Sequence, residues 1–124
     1  MAKKNKHAEL SIIVTAHNEG ILAHKTMLSL FRATKKLEEE DIPYEFIVHI
    51  DNGTLETKKY FSKYENDKRI KVFENNFGDP SLSRNFAIAE ADGRYVASID
   101  GDDLCSENWL IDSYVTIKDS DDKI

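Results

Sequence analysis

The chain has 124 residues, of which 40% are hydrophobic and 32% are charged, a composition typical of one globular domain with a real core. Its 17 basic and 23 acidic residues give a net charge of −6, and no basic patch with interleaved aromatic residues occurs, which argues against a nucleic-acid partner. The single cysteine, Cys105, excludes an internal disulfide and a cysteine-based zinc site, and no run has the length of a membrane span, so we expect a cytoplasmic protein.

The first half of the chain alternates between short apolar runs and longer amphipathic segments. Residues 10–16 form a near-continuous apolar run that is too short for a helix, which is typical of a strand buried on both faces. Apolar residues then recur at roughly helical spacing from Ile21 to about Glu40, which predicts a helix. Pro43 ends that helix, and residues 44–50 predict a second strand that leads into a turn at 51–54.

The second half repeats this alternation twice. Residues 55–64 predict a polar helix, and residues 69–74 alternate in the way of a half-exposed strand near a sheet edge. A helix opens at Pro80 or Ser81 and ends before Asp92. Residues 94–99 predict the fourth strand and residues 107–117 the last helix, after which we expect the polar segment from Asp119 to be loose.

The alternation of strand and helix predicts an α/β fold with a parallel sheet, right-handed crossovers and helices on both faces. In such a sheet a ligand binds at the carboxyl ends of the strands. Four polar loops meet there, at residues 17–20, 51–54, 76–84 and 100–103. The first of them has only one glycine, Gly20, so neither a dinucleotide-binding turn nor a glycine-rich phosphate loop is present.

Three aspartates, Asp100, Asp102 and Asp103, follow the fourth strand with only Gly101 between them. Three like charges placed close together repel one another and lose hydration, so a divalent cation between them would stabilise the cluster. Oxygen ligands suit Mg²⁺ or Mn²⁺ better than zinc. The alternative is a solvated acidic turn that caps the next helix, with Asp and Gly serving the turn geometry.

Four blocks of sequence together carry a family resemblance. They are Ser-Ile-Ile-Val-Thr-Ala-His-Asn-Glu (11–19), Phe-Ile-Val-His-Ile-Asp-Asn-Gly-Thr (46–54), the segment 76–96 around Pro-Ser-Leu-Ser-Arg-Asn, and Ser-Ile-Asp-Gly-Asp-Asp (98–103). In this order and spacing the chain, over about residues 10–110, resembles family 2 glycosyltransferases. The resemblance implies part of a GT-A fold, Rossmann-like and mostly parallel, with strand order 3-2-1-4 and helices on both faces. It also implies a nucleoside-diphosphate sugar as partner, most often a UDP-sugar, and Mn²⁺ or Mg²⁺ as cofactor.

The resemblance also implies roles for residues near the base and the phosphates. Asp51 matches the family's acid that recognises the nucleoside base, Arg84 matches the arginine that faces the base or the phosphates, and Asn18 and Glu19 match residues close to the base pocket. On the residues alone, Asp51 also suits a turn, Arg84 a solvated helix face, and Glu19 the start of a helix.

For the acidic cluster the resemblance implies contact with the ribose and coordination of a metal that bridges the two phosphates. Asp100 matches both roles, while Asp102 and Asp103 match metal ligands. The catalytic base is not assigned, because in the family the acceptor side comes from sequence beyond this motif.

Some residues depart from the family pattern or allow a purely structural interpretation. His17 occupies an aromatic position, where it can stack on a base, hydrogen-bond to it, or lie on the surface as an ordinary loop histidine. His49, within a strand, is expected to be a satisfied residue of the core or of the second face of the sheet. Trp109 is expected to be a core residue rather than a sugar platform, and Cys105 a structural residue.

The expected domain division is a flexible basic N terminus at 1–8, a nucleotide-sugar-binding half-domain at 9–118, and a polar tail at 119–124 that stops before an acceptor-binding half. The predicted function is donor binding and, in an intact enzyme that works in the cytoplasm or at the membrane surface, transfer of the sugar to an unknown glycan or lipid acceptor. A non-catalytic binding or assembly module is the alternative, followed by a nucleotidyltransferase-like enzyme. The outer edge of the fourth strand is expected to be exposed and to favour a homo-oligomer.

Overall fold

The computed structural model describes residues 8–122. Strands and helices alternate along this part of the chain, and most of the predicted elements are confirmed within one or two residues. The strands are β1 (Leu10–Ala16), β2 (Tyr44–Asp51), β3 (Ile70–Asn75) and β4 (Tyr95–Asp100). The α-helices are α1 (Ala23–Glu39), α2 (Leu55–Ser62), α3 (Pro80–Glu90) and α4 (Trp109–Asp122), and a short 3₁₀ helix (Gly20–Leu22) precedes α1.

The four strands form one sheet in the order β3-β2-β1-β4, and every neighbouring pair is parallel. The predicted order is therefore confirmed. β1 and β2 lie in the centre, in a register that pairs Ile12 with Phe46 and Val14 with Val48. Their continuous apolar sequences follow from this position, because a central strand of a parallel sheet is covered on both faces.

Helices cover both faces of the sheet, as expected, but unequally. The larger core lies between one face and helices α1, α2 and α4, and includes Met27 and Leu30 from α1, Phe61 from α2 and Leu110 from α4. The smaller core lies under α3, where Ile13 and Ile47 pack against Ala87. The α3 face of β4 is left open, with Val96 and Ser98 both exposed.

The smaller core also contains His49, whose side chain is completely buried. Its Nε2 donates a hydrogen bond to Oδ1 of Asn75 at 2.9 Å. Within residues 8–122, however, Nδ1 has no hydrogen-bond partner. The prediction of a core histidine is confirmed, and the prediction that it is satisfied is wrong for this one nitrogen.

The last helix differs from its predicted position at both ends. It begins at Trp109 rather than at residue 107, and it continues through Asp122, although the segment from Asp119 was expected to be loose. Asp121 accepts hydrogen bonds from the Tyr95 hydroxyl at 2.7 Å and from Arg94 Nη2 at 3.3 Å. These contacts hold the polar end of α4 against the start of β4.

The predicted N-terminal segment 1–8 lies outside the described residues except for Ala8, and so do residues 123 and 124 of the predicted tail. No helix within residues 8–122 is long and apolar enough to cross a membrane.

Candidate functional site

A cleft of about 490 Å³ opens at the carboxyl ends of β1, β2 and β4. Its position is the one expected for a ligand site in a parallel α/β sheet, since the strand order reverses between β1 and β4. The residues that line it come from the end of β1 and from all four predicted loops: Thr15, Ala16, His17, Glu19, Asp51, Asn52, Gly78, Pro80, Ser83, Arg84, Asp100 and Asp102.

The acidic cluster at the end of β4 is held by a tightly bonded turn. The N–H of Gly101 donates to the Thr15 carbonyl at 2.7 Å, and the Thr26 hydroxyl donates to the Gly101 carbonyl at 2.9 Å. A side chain at Gly101 would have its Cβ 3.1 Å from the Thr15 carbonyl oxygen, so the close approach of the two strands favours glycine there. Asp100 Oδ1 also accepts a 2.9 Å hydrogen bond from the Thr15 hydroxyl, which orients this carboxylate.

The three aspartates Asp100, Asp102 and Asp103 offer one carboxylate oxygen each within 4.8 Å of one another, and all three side chains are exposed. This spacing fits a single ion between them, and an all-oxygen donor set is the one that Mg²⁺ and Mn²⁺ prefer. The residues therefore fit the cation that the family resemblance implies.

Asp51, the last residue of β2, is fixed by the loop that follows β3. Its Oδ1 accepts hydrogen bonds from the N–H groups of Phe77 at 2.6 Å and Gly78 at 3.1 Å, and its Oδ2 accepts one from Asp79 at 3.2 Å. Partial burial by itself raises the pKa of Asp51, but the backbone hydrogen bonds from Gly78, Phe77 and Asp79 outweigh it and hold that pKa below its ordinary value. Asp51 is consequently a preorganised carboxylate with acceptor capacity left on Oδ2.

The first loop is closed by hydrogen bonds to its own backbone and to the next turn. Glu19 Oε1 accepts a 2.6 Å hydrogen bond from the His17 N–H, and the His17 ring donates from Nδ1 to the Asp51 carbonyl at 2.7 Å. That bond fixes the tautomer of the neutral ring and leaves the Nε2 lone pair as an acceptor. Gly20 permits the turn, because its φ is +57° and an added Cβ would lie 2.6 Å from Glu56 Oε1.

Arg84 lies on the first turns of α3, half-buried, between the cleft and a second cavity. Within the described part of the chain its guanidinium forms no salt bridge, so its charge is available to a ligand. The second cavity measures about 560 Å³ and reaches from Arg84, Ser98 and Asp103 to Trp109. Trp109 also packs against the larger core, as expected, and it forms part of the wall of this cavity.

The structure brings most of the predicted site residues together. Five of them line the cleft: Glu19, Asp51, Arg84, Asp100 and Asp102. Asp103 lines the adjoining cavity, while Asn18 is exposed and does not line the cleft. The ligand roles of these residues stay predictions.

Sequence reasoning missed three features of the cleft. Thr15 orients Asp100, and Ser83, although buried, contributes to the wall beside Arg84. The amides of residues 77–79 were missed as well, because backbone donors leave no mark in the side-chain pattern. Ser83 precedes Arg84 by one position, and that adjacency is the one signal that points to it.

Comparison with known families gives a match over almost the entire chain. The pattern described as Glycosyl transferase family 2 covers residues 11–123. This chain belongs to glycosyl transferase family 2. The resemblance drawn from the four sequence blocks is thereby confirmed, and so is the fold class that it implies.

The chain is similar to two curated glycosyltransferases of Staphylococcus aureus. It is 32% identical over 108 residues to the poly(ribitol-phosphate) beta-N-acetylglucosaminyltransferase TarP of strain N315. The aligned segment covers 86% of this chain and 32% of TarP. It is 30% identical over 107 residues to TarS of strain Mu50, with 85% of this chain and 18% of TarS covered. The chain thus spans about a third or less of the length of these relatives.

Solved structures of TarS share the fold. The crystal structure of S. aureus TarS 1–349 in complex with UDP matches with a TM-score of 0.73 and 28% identity, covering 90% of this chain and 32% of that one. The complex of the same protein with UDP-GlcNAc matches with a TM-score of 0.72 and 27% identity, covering 90% and 31%.

Proposed function

We propose that this chain binds a nucleoside-diphosphate sugar, with a UDP-sugar as the first candidate, and serves a glycosyltransferase that moves the sugar to an acceptor hydroxyl. The observation that carries the proposal is that Asp51, Arg84, Asp100 and Asp102 line one cleft, and that Asp103, on the wall of the adjoining cavity, completes the acidic cluster. The two TarS complexes support it, since they contain UDP and UDP-GlcNAc.

The nucleoside end of the donor is proposed to lie between the first loop and Asp51. Within residues 8–122 the Oδ2 atom of Asp51 accepts a hydrogen bond from the Asp79 N–H, and as a carboxylate oxygen it can accept a further one from an N–H of the base. Glu19 and the Nε2 lone pair of His17 add acceptors on the opposite side. The free oxygen of Asp100 suits a ribose hydroxyl, because Thr15 already orients the other oxygen.

The diphosphate is proposed to lie between Arg84 and the acidic cluster. Asp100, Asp102 and Asp103 would hold a divalent cation, Mn²⁺ or Mg²⁺, which when bound would neutralise the charge that builds on the leaving diphosphate. The guanidinium of Arg84 supplies fixed positive charge in a chain whose net charge is −6, and its planar donors match phosphate oxygens.

The sugar is proposed to extend into the second cavity, which adjoins the cleft at Arg84 and Asp100. That cavity offers the hydroxyl groups of Ser98 and Ser106 and the ring of Trp109, a mixture that suits a polyhydroxylated ligand. The acceptor, a glycan or lipid, and the base that activates it are not assigned to residues here, and the cytoplasmic location remains a prediction.

Calorimetric titration of UDP into this chain, with Mn²⁺ and then with a chelator, tests the proposal directly. We expect binding that weakens by about tenfold or more when the metal is removed, and equally in the Asp102→Ala, Asp103→Ala double variant. A matched control is the Glu65→Ala, Asp112→Ala double variant, which removes two exposed carboxylates away from the cleft.

The control variant should bind UDP as the unmodified chain does. Absence of UDP binding in a folded chain, or binding that neither the chelator nor the Asp102→Ala, Asp103→Ala variant changes, would contradict the proposed metal-dependent donor site. Repeating the titration with UDP-GlcNAc then measures what the second cavity contributes to affinity.

A further inference from the structure

His49 is a buried polar residue that the proposed binding site does not use. It lies on the α3 face of β2, two positions before Asp51, and its side chain is completely buried. Only Nε2 is bonded, to Asn75 at the end of β3, while Nδ1 has no partner within residues 8–122. An unpaired ring nitrogen in a core is unfavourable, so a histidine kept at this position requires a compensating role.

The ring of His49 supports the loop that holds Asp51. Phe77 stacks on it with ring centroids 5.4 Å apart and planes 10° apart, and Phe86 of α3 lies against it at 5.0 Å. Phe77 is 38% exposed, and the rings of His49 and Phe86 both contact its buried part, with the Phe86 ring centroid 6.0 Å away. The N–H of the same Phe77 donates the shortest of the three hydrogen bonds to the Asp51 carboxylate.

His49 also contacts the residue at which this loop begins. Asn75 receives the Nε2 hydrogen bond on its side chain, and its carbonyl accepts a 2.9 Å hydrogen bond from the N–H of Asn52, next to Asp51. The imidazole is thereby bonded at residue 75 and stacked at residue 77, on either side of Asn76. Both contacts lie between the sheet and the loop whose amides fix the carboxylate.

We propose that His49 is a positioning residue for the cleft: its ring, stacked on Phe77, holds the amides of residues 77–79 in place around Asp51. The part of this that concerns nucleotide affinity rests on the proposed function, whereas the part that concerns the loop does not. We attribute the effect to the stacking rather than to the hydrogen bond to Asn75, because the imidazole lies nearly parallel to the Phe77 ring, whereas the Phe86 ring lies 6.0 Å from Phe77 and is tilted by 54°.

Three variants separate this role from a general contribution to stability. His49→Val fills the strand position without a ring, and His49→Phe keeps a ring but loses the bond to Asn75 and removes the unpaired nitrogen. Val48→Ala is the control, because Val48 is buried on the opposite face of the same strand, in the larger core. For each variant we would measure urea stability, amide hydrogen exchange by NMR, and the Kd of UDP in the presence of Mn²⁺.

In His49→Val, we expect the amides of Phe77, Gly78 and Asp79 to exchange about tenfold faster or more, and UDP to bind about tenfold more weakly. In His49→Phe, the amide exchange rates and the Kd of UDP should stay close to those of the unmodified chain. In Val48→Ala both should also stay unchanged, although this variant loses as much stability as His49→Val or more. Loss of the loop protection in Val48→Ala, or its full retention in His49→Val, would overturn the proposal. If UDP fails to bind even the unmodified chain, the exchange measurements still decide the role of His49, and only the proposed function is refuted.

Discussion

Asp51 contributes both to the stability of the fold and to the proposed binding of the donor. Its carboxylate accepts three backbone N–H groups, and charged acceptors make stronger hydrogen bonds than neutral ones. In Asp51→Asn the shape is kept but the charge is lost and one N–H faces an amide donor, so we expect a loss of about 1–2 kcal/mol in the free energy of unfolding at neutral pH. Urea titration would measure it, with Asp112→Asn as a control that removes the same charge from an exposed position on α4.

The lowered pKa of Asp51 makes this stabilisation depend on pH. Because the pKa is lower in the folded chain than its ordinary value of 3.8, the contribution is fully present above that value and is lost as the pH falls through the folded pKa. Between about pH 7 and about pH 3, the unmodified chain should therefore lose more stability than Asp51→Asn does. Parallel losses in the two proteins across this range would show that the three amides do not favour the ionised carboxylate.

At the scale of the elements, a buried carboxylate joins three strands at the end of the sheet opposite to the cleft. Glu45 of β2 accepts hydrogen bonds from the Ser11 hydroxyl of β1 and from the Asp92 N–H, both at 2.6 Å, and Lys71 of β3 lies 3.2 Å from its other oxygen. Glu45→Gln leaves this lysine without its buried partner, so we expect a loss of about 1–3 kcal/mol in stability. The Kd of UDP should not change, because the substitution lies far along β2 from Asp51.

A double-mutant cycle with Lys71→Met measures the pair itself. Burial alone lowers the pKa of Lys71, but the hydrogen bonds from its ammonium to Asp92 and Glu45 outweigh it and raise that pKa. We expect a coupling energy of about 0.5–3 kcal/mol, in the range found for residues in direct contact. Additive effects of the two single substitutions would mean that Glu45 acts only through Ser11 and Asp92.

The elements also show where prediction from sequence succeeds and where it stops. β1 and β2 were predictable because a central parallel strand must be apolar on both faces, and this pattern appears in consecutive residues. The end of α4 was not predictable, because Asp121 is held by hydrogen bonds from Arg94 and Tyr95, which lie 27 and 26 residues earlier in the chain. Likewise, Asp51 was predictable as a site residue from its position after β2, but the amides that bind it come from a loop after a different strand.

For the molecule as a whole, the two edges of the sheet differ in their protection. The β3 edge carries the charged residues Lys71 and Glu74, which oppose pairing with another strand. β4, at the other edge, has no charged residue from Tyr95 to Ile99, and its Val96 is 37% exposed. Among the described residues no strand pairs with the outer side of β4.

We therefore expect this chain to self-associate through β4, most simply by antiparallel pairing of β4 with β4 of a second copy. Sedimentation velocity over a range of concentrations should show a monomer that converts to a dimer, and Val96→Lys should keep it monomeric because a charge on the edge opposes pairing. Leu55→Lys makes the same chemical change at a side chain that is 82% exposed and lies on α2, so it should not affect dimer formation. The β4 edge would be ruled out as the contact if the unmodified chain stays monomeric at about millimolar concentration. It would also be ruled out if Val96→Lys leaves the dimer intact.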